Sequence, residues 1–234
     1  MEKDNEKKYG FLRKQTKWED LYFYQKSVTL YQLSFIFAHR YYTNSDRTRD
    51  QLIQAARSGK QNIVEGSADG VTSMEMEIKL LNVARSSIKE AREDFEDYLT
   101  AHQLAKWSPG HARYNGMLDF CRKHNKWEEY ERYVNKWNDE EMANTGYTMC
   151  CQIDVLMNGY LKTLEDRFRK EGGMKERMYR VRTGYRAQQD QLMKDLQATI
   201  RQQEVRIREL EAELERMRRK HEDGRGSQKM AEDG

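Results

Sequence analysis

The sequence predicts an all-α protein: an up-down four-helix bundle with an inserted aromatic-rich helical segment and a C-terminal coiled-coil helix. Three observations carry that expectation. Pro109 is the single proline in 234 residues, so the commonest helix breaker is nearly absent. Several helix-start signals are each followed by apolar residues spaced three and four apart, the period of one helical face. Near the C-terminus the apolar spacing settles into heptads. Charged residues make up 35% of the chain and hydrophobic ones 37%. That composition suits helices with one dry stripe and a wet remainder better than one broad core.

Residues 1–15 are charged and are expected to be flexible, and the bundle is expected over 16–171. Thr16-Lys17-Trp18-Glu19 has the form of a capping box, in which Thr and Glu satisfy each other's free backbone N–H groups. Leu21, Tyr24, Val28, Tyr31 and Phe35 follow as the stripe of a first helix ending near Tyr42. Thr48-Arg49-Asp50-Gln51 reads as a second box before Leu52, Ala55, Ala56, Gly59 and Ile63, with Gly66 as the stop. Small residues on that stripe let another helix come close, which explains a glycine that otherwise costs about 1 kcal/mol mid-helix. Thr72-Ser73-Met74-Glu75 reads as a third box, with Ile78, Leu81, Ile88, Phe95 and Leu99 as the stripe and Ala84 and Ala91 beside it.

Residues 100–138 form the insertion. Trp107, Tyr114, Phe120, Trp127, Tyr130, Tyr133 and Trp137 demand packing, and one or two short helices are expected, Ser108-Pro109 resembling an N-cap with proline at the first helical position. A fourth long helix is expected to start at Asn138–Glu141, with the stripe Met142, Met149, Ile153, Leu156, Tyr160, Leu164 and Phe168. Gly172-Gly173 ends it, since glycine supplies the left-handed backbone many helix ends need.

A basic suffix, 172–187, leads into a coiled coil over 188–220. Met193, Ile200, Ile207 and Leu214 take heptad position a. Gln189, Leu196, Gln203, Leu210 and Met217 take d. In a parallel pair Arg206 would face Glu211 and Glu213 would face Arg218, which favours parallel self-association. The seam Met193, Leu196, Ile200, Gln203, Ile207, Leu210, Leu214 and Met217 is therefore the expected oligomerisation surface, with the polar Gln203 fixing register. Residues 221–234 have the composition of a disordered tail.

Net charge is only +3, so the chain as a whole is not polybasic. Gly172 to Lys220, however, holds thirteen Lys and Arg against eight Asp and Glu. Within it, Lys175, Arg177, Tyr179, Arg180, Arg182, Tyr185 and Arg186 combine guanidiniums, which pair with phosphates, and tyrosines, which stack on unpaired bases. Arg49, Arg57 and Lys60 are expected on the outer side of the second helix. Together these residues are the candidate nucleic-acid surface. Repeated around an oligomer, such a patch gains avidity without new contacts. The alternative is a solvated face, or arginines that meet acids of a neighbouring subunit.

Catalytic signals are missing. The sequence has no phosphate-cradling glycine loop, nucleophile elbow or HExxH, and the Glu-x-x-His signature of di-iron bundles is not found in the four bundle helices. No enzyme activity and no cofactor are expected. Glu93, Asp94 and Glu96 read as solvated charges. Cys121-x-x-His124 could chelate zinc, but its spacing fits no standard finger and His102 and His111 are far off, so no metal is expected. An odd count of three cysteines, Cys121, Cys150 and Cys151, argues against a disulfide framework and for a reducing, cytoplasmic setting. No stretch is apolar enough for a membrane.

The segment from Gln51 through Ala55-Ala56 to Asn62-Ile63-Val64-Glu65-Gly66 resembles the four-helix-bundle family named after proteins encoded in intervening sequences of large-subunit ribosomal RNA genes. Ser87 also sits where that family places a serine. The likeness covers roughly residues 18–99, and more loosely 140–168. Glu141 to Thr145, Leu164 to Phe168 and Glu171 to Arg182 are similar to a longer subgroup, the four-helix-bundle suffix-domain proteins. Gly59 departs from the pattern, which has isoleucine there. The resemblance implies an up-down bundle, a ring-shaped homo-oligomer (a pentamer by analogy) and no catalytic residues. For relatives that serve as the accessory variability determinant of diversity-generating retroelements, it implies a basic surface holding RNA and a reverse transcriptase. Two stoichiometries thus stand open, two strands by the heptads and five by the resemblance. Asn62, Glu65 and Gly66 are the motif's structural residues, the first two expected to bond backbone groups in the turn before Thr72. A scaffold that binds only proteins, through the coiled coil and aromatic segment, is the alternative function.

Overall fold

A computed structural model of the chain describes residues 17–232, with side chains described through Met217. The expectation of flexibility over 1–15 lies outside that range. Among the described residues every regular element is helical: a 3-10 turn at Trp18–Asp20, then α1 Tyr22–Tyr41, α2 Arg47–Asp69, α3 Met74–Ala101, α4 Tyr114–Lys123, α5 Glu128–Val134, α6 Asp139–Glu171 and α7 Met174–Glu232. Each of the four long helices α1, α2, α3 and α6 packs on two of the others: α1 on α2 and α6, and α3 on α2 and α6.

Of the expected long-helix starts within the described residues, one forms as drawn and two shift. Asn138 accepts from Glu141 N at 2.9 Å while the Glu141 carboxylate accepts from Asn138 N at 3.1 Å, a complete capping box for α6. At α3 the cap is Ser73, one residue past the threonine, with Oγ accepting from Met76 N. At α2 it is Asp46, which accepts from Thr48 N at 2.9 Å. Aspartate wins there because its carboxylate meets the helix N-terminus with full negative charge. Thr16 lies outside the described residues, and α1 starts only at Tyr22, with Leu21 before it and no side-chain cap.

The α2 and α3 stripes are buried as expected, except that Ile78 is only half-buried. On α1 the phase differs. Phe23, Leu30, Leu33, Phe37 and Ala38 fill the core, whereas Tyr24, Val28 and Tyr31 are half-buried and Phe35 is exposed. Both sets have helical spacing. The tyrosines go to the rim because their hydroxyls need a polar partner that the core cannot offer. On α6, Ile153 and Leu164 are buried with Met157 and Leu161, but Leu156 is 37% exposed.

Gly66 does not stop α2. The helix runs three residues further, to Asp69, and Gly66 is buried where a Cβ would sit 3.3 Å from Leu80 Cβ and 3.4 Å from the Glu77 carbonyl. The glycine is there for close approach to α3. Gly59 has the same role, since a Cβ would meet Ile88 Cδ1 at 2.6 Å. Gly172 ends α6 with φ +72° as expected.

The insertion folds as two short helices preceded by an irregular strip. Ser108-Pro109 does not open a helix. His111 N donates to Ser108 O at 2.9 Å and Gly110 has φ +103°, the turn in which proline takes the second place and glycine the third.

Two cations on α1 dock the short helices. Lys26, only 3% exposed, donates from Nζ to Cys121 O and to His124 O, capping the end of α4. Thr29 Oγ1 donates to Asn125 O at 2.8 Å and Tyr130 OH to His124 O at 3.0 Å. At the other end of α1, Arg40 donates to Val134 O at 2.9 Å, capping α5. Positive charge at a helix C-terminus is favourable. Asn144 on α6 holds the strip: its Oδ1 accepts from Trp107 N at 2.7 Å and its Nδ2 donates to Ala105 O at 2.9 Å.

Between Met178 and Tyr179 the chain divides into two units. The second lies wholly on α7, whose range covers both the expected suffix and the expected coiled coil. Its backbone stays helical through Glu232, past residue 221 where composition predicts disorder. No proline interrupts it.

Candidate nucleic-acid interface

The suffix residues lie on the first four turns of α7. Lys175, Tyr179, Arg180, Arg182, Tyr185 and Arg186 are exposed, and Arg177 is half-buried. Tyr179, 60% exposed, falls with Arg182 and Arg186 inside an arc of about 60°. Positions three and four residues apart share a helical face, so a guanidinium pair and a tyrosine ring point one way.

The α2 residues form no comparable surface. Arg49 is half-buried and donates to Asn44 Oδ1 at 2.5 Å and Asp50 Oδ1 at 3.2 Å, tying the turn before α2 to its own helix. Lys60 Nζ lies 4.4 Å from the centre of the Tyr31 ring, a cation–π contact with α1. Arg57 alone is exposed. Two of the three cations expected on the outer side thus make contacts within the fold.

The motif residues are corrected as well. Asn62 Nδ2 donates to Ser58 O at 2.9 Å and Ser58 Oγ at 3.2 Å, one turn back on its own helix, instead of the turn before Thr72. Ser87 Oγ donates to Ser58 Oγ at 3.1 Å, so the motif's serine and asparagine converge on one residue between α2 and α3. Glu65 is exposed.

The same α2–α3 seam opens into a cleft lined by Asp50, Gln54, Ser58, Glu90, Glu93, Asp94 and Asp97. Asp94 is half-buried, where the sequence suggests a solvated charge. Burial, then the neighbouring charges of Asp97, Glu90 and Glu93, push its carboxyl up to about 6. The Tyr42 hydroxyl lies between Asp94 and Asp46 of the α2 cap, and burial and those charges raise it in turn. A wall of this sign repels phosphate, so this cleft is not where nucleic acid would lie. Folded Asp94 holds its proton more tightly than the unfolded residue, whose ordinary value is 3.8. Its stabilising contribution is thus complete below that value and lost as pH rises through about 6. Asp94→Asn is expected to raise stability at neutral pH by about 1 kcal/mol after solvent screening. It should also flatten this part of the acid-range slope, as urea midpoints of both chains across that range will read.

A second groove, of opposite character, lies among α1, α4 and α6. Tyr22, Leu118, Val155 and Leu156 give it an apolar floor, and Arg122 and Lys123 stand beside them. Tyr22 and Val155 are 62% and 71% exposed.

For the cysteines, burial pushes the Cys121 thiol up to about 11 and also raises those of Cys150 and Cys151. A thiol held protonated is a poor nucleophile. His124 Nδ1 lies 2.8 Å from the Phe120 carbonyl. Among the described residues no three His, Cys, Asp or Glu side chains gather as metal ligands.

Along α7, Met193, Leu196, Ile200, Ile207, Leu210, Leu214 and Met217 are all 45–62% exposed, and Gln203 is exposed among them. No helix of the described residues is long and apolar enough to cross a membrane. Compared with protein-family models, curated proteins and solved structures, the chain matches none.

Proposed function

We propose that this chain is a non-catalytic, homo-oligomeric adaptor of the cytoplasm that binds nucleic acid, RNA by the family resemblance. Its body is read as an up-down four-helix bundle carrying an aromatic insert, and its C-terminal helix as a coiled coil. The observation that carries the reading is the exposed face of Tyr179, Arg182 and Arg186 on α7, a residue set that grips phosphates and stacks on bases. The resemblance supplies the role of accessory to a reverse transcriptase. Electrophoretic mobility shift of a structured RNA across a salt series tests it. Binding that weakens steeply with salt is expected, and no salt-sensitive shift at low ionic strength would refute the reading.

The apolar groove of Tyr22, Val155 and Leu156 favours a second reading, a scaffold for proteins alone, because contiguous exposed apolar surface usually marks a protein contact. Pull-down before and after nuclease treatment separates the two. Partners retained after digestion favour the scaffold, and partners released by it favour the adaptor.

A further inference from the structure

The apolar seam and the basic face of α7 are one face. Counting heptads back from Met193 and Leu196 places Gln189 and Arg182 at position d, and Arg186 and Tyr179 at a. From Met193 to Met217 that line is apolar except for Gln203, whereas from Tyr179 to Arg186 it carries two guanidiniums and a phenol. The helix has no break at the change. The apolar half is wet in a single copy, with Ile200 and Leu210 still 48% and 45% exposed, so it lacks the burial that stabilises a long helix.

A second copy is the occupant that the charges select. In a parallel pair Arg206 meets Glu211 across the flank, and Ile at a with Leu at d favours two strands. That pairing cannot continue toward the N-terminus. Arg186 would face Arg186 and Arg182 would face Arg182 in a closing seam, and like charges there repel with no acid at a or d to offset them.

We propose that α7 pairs in parallel with a second copy of itself from Met193 to Met217, and that the two helices part near Gln189 into a basic fork. Tyr179, Arg182 and Arg186 of both arms then grip a nucleic-acid duplex between them. Each arm from Tyr179 to Gln189 is a helix about 15 Å long and about 10–12 Å across, which fits the major groove of B-form DNA, about 12 Å wide. On A-form RNA, whose major groove is deep and narrow, the same guanidiniums meet only the phosphate edge. The Arg180 side chains add charge outside the seam. This deepens the nucleic-acid reading above and rests on it: the partner becomes a duplex backbone, and the site is incomplete without the second copy.

The test uses the full chain. Gln203→Cys places a thiol at a d position, where a parallel pair brings the two copies face to face, and an interchain disulfide under mild oxidation is expected there and not in the parent chain. Arg182→Leu with Arg186→Leu removes the repulsion and extends the dry seam. That variant should dimerise about tenfold more tightly. It should also bind a blunt DNA duplex or an RNA hairpin, assayed separately, about tenfold less, with a salt slope shallower by about three to four units for four lost guanidiniums. Merely solvated arginines would leave dimerisation unmoved. Failure of the 203–203 disulfide overturns the parallel seam. Disulfide formation without salt-sensitive binding by the parent chain overturns the nucleic-acid reading and leaves the seam standing. Binding by the double variant equal to the parent's overturns the fork itself.

Discussion

Replacing Phe95 by alanine is expected to lower stability by about 3–5 kcal/mol. The ring is fully buried, 5.3 Å from the Phe37 ring, and lies against the backbone of α6 at Gly146. A Cβ on Gly146 would overlap that ring, so the glycine and the phenylalanine are two halves of one contact between α3 and α6. The pair makes a sharper test than either alone. Gly146→Ala in the parent chain should cost about 1–3 kcal/mol through overpacking. In the Phe95→Ala chain the clash is gone, and the same change should be neutral or stabilising by up to about 1 kcal/mol through helix propensity. Denaturant melts of the four chains read the coupling directly. Additive losses would mean that the ring does not rest on Gly146.

Lys26→Met should cost about 2–4 kcal/mol. Methionine keeps the length of the stem and its apolar contacts but removes the ammonium that caps α4 at Cys121 O and His124 O. Burial lowers the pKa of Lys26, a sign of how far its charge is removed from solvent. Thr29→Val removes the adjacent bond to Asn125 O and should cost about 1 kcal/mol. Urea titrations followed by tryptophan fluorescence check both, because Trp127 and Trp137 pack against the core beside this cap. A loss under about 0.5 kcal/mol for Lys26→Met would mean that water replaces the ammonium.

The helices were legible in the sequence wherever the apolar period was unambiguous. Leu52, Ile63, Leu81, Ile88 and Ile153 are buried as their spacing requires. Phase was not legible on α1, where two helically spaced sets compete and only the neighbours decide which one dries. Gly66 misled because glycine has two uses, ending a helix and admitting another backbone, and the choice depends on Leu80 across the contact. Lys26 and Arg40 gave no local signal at all. Each caps a helix 94 or more residues away in sequence, and a lysine on an amphipathic helix ordinarily reads as its wet side. Of the candidate surface, the suffix was legible as composition. Arg49 and Lys60 were not, since Asn44 and Tyr31 claim them only once the fold exists.

The two α1 caps also set the order of assembly. Their bonds close loops of 94 to 98 residues, and long-range closure is slow because chain entropy is lost before any contact repays it. The aromatic insert can settle only on an α1 whose Lys26 and Arg40 lie nearly a hundred residues before it. Amide protons of α4 and α5 should therefore exchange faster in the Lys26→Met chain than in the parent, as hydrogen exchange of both will read.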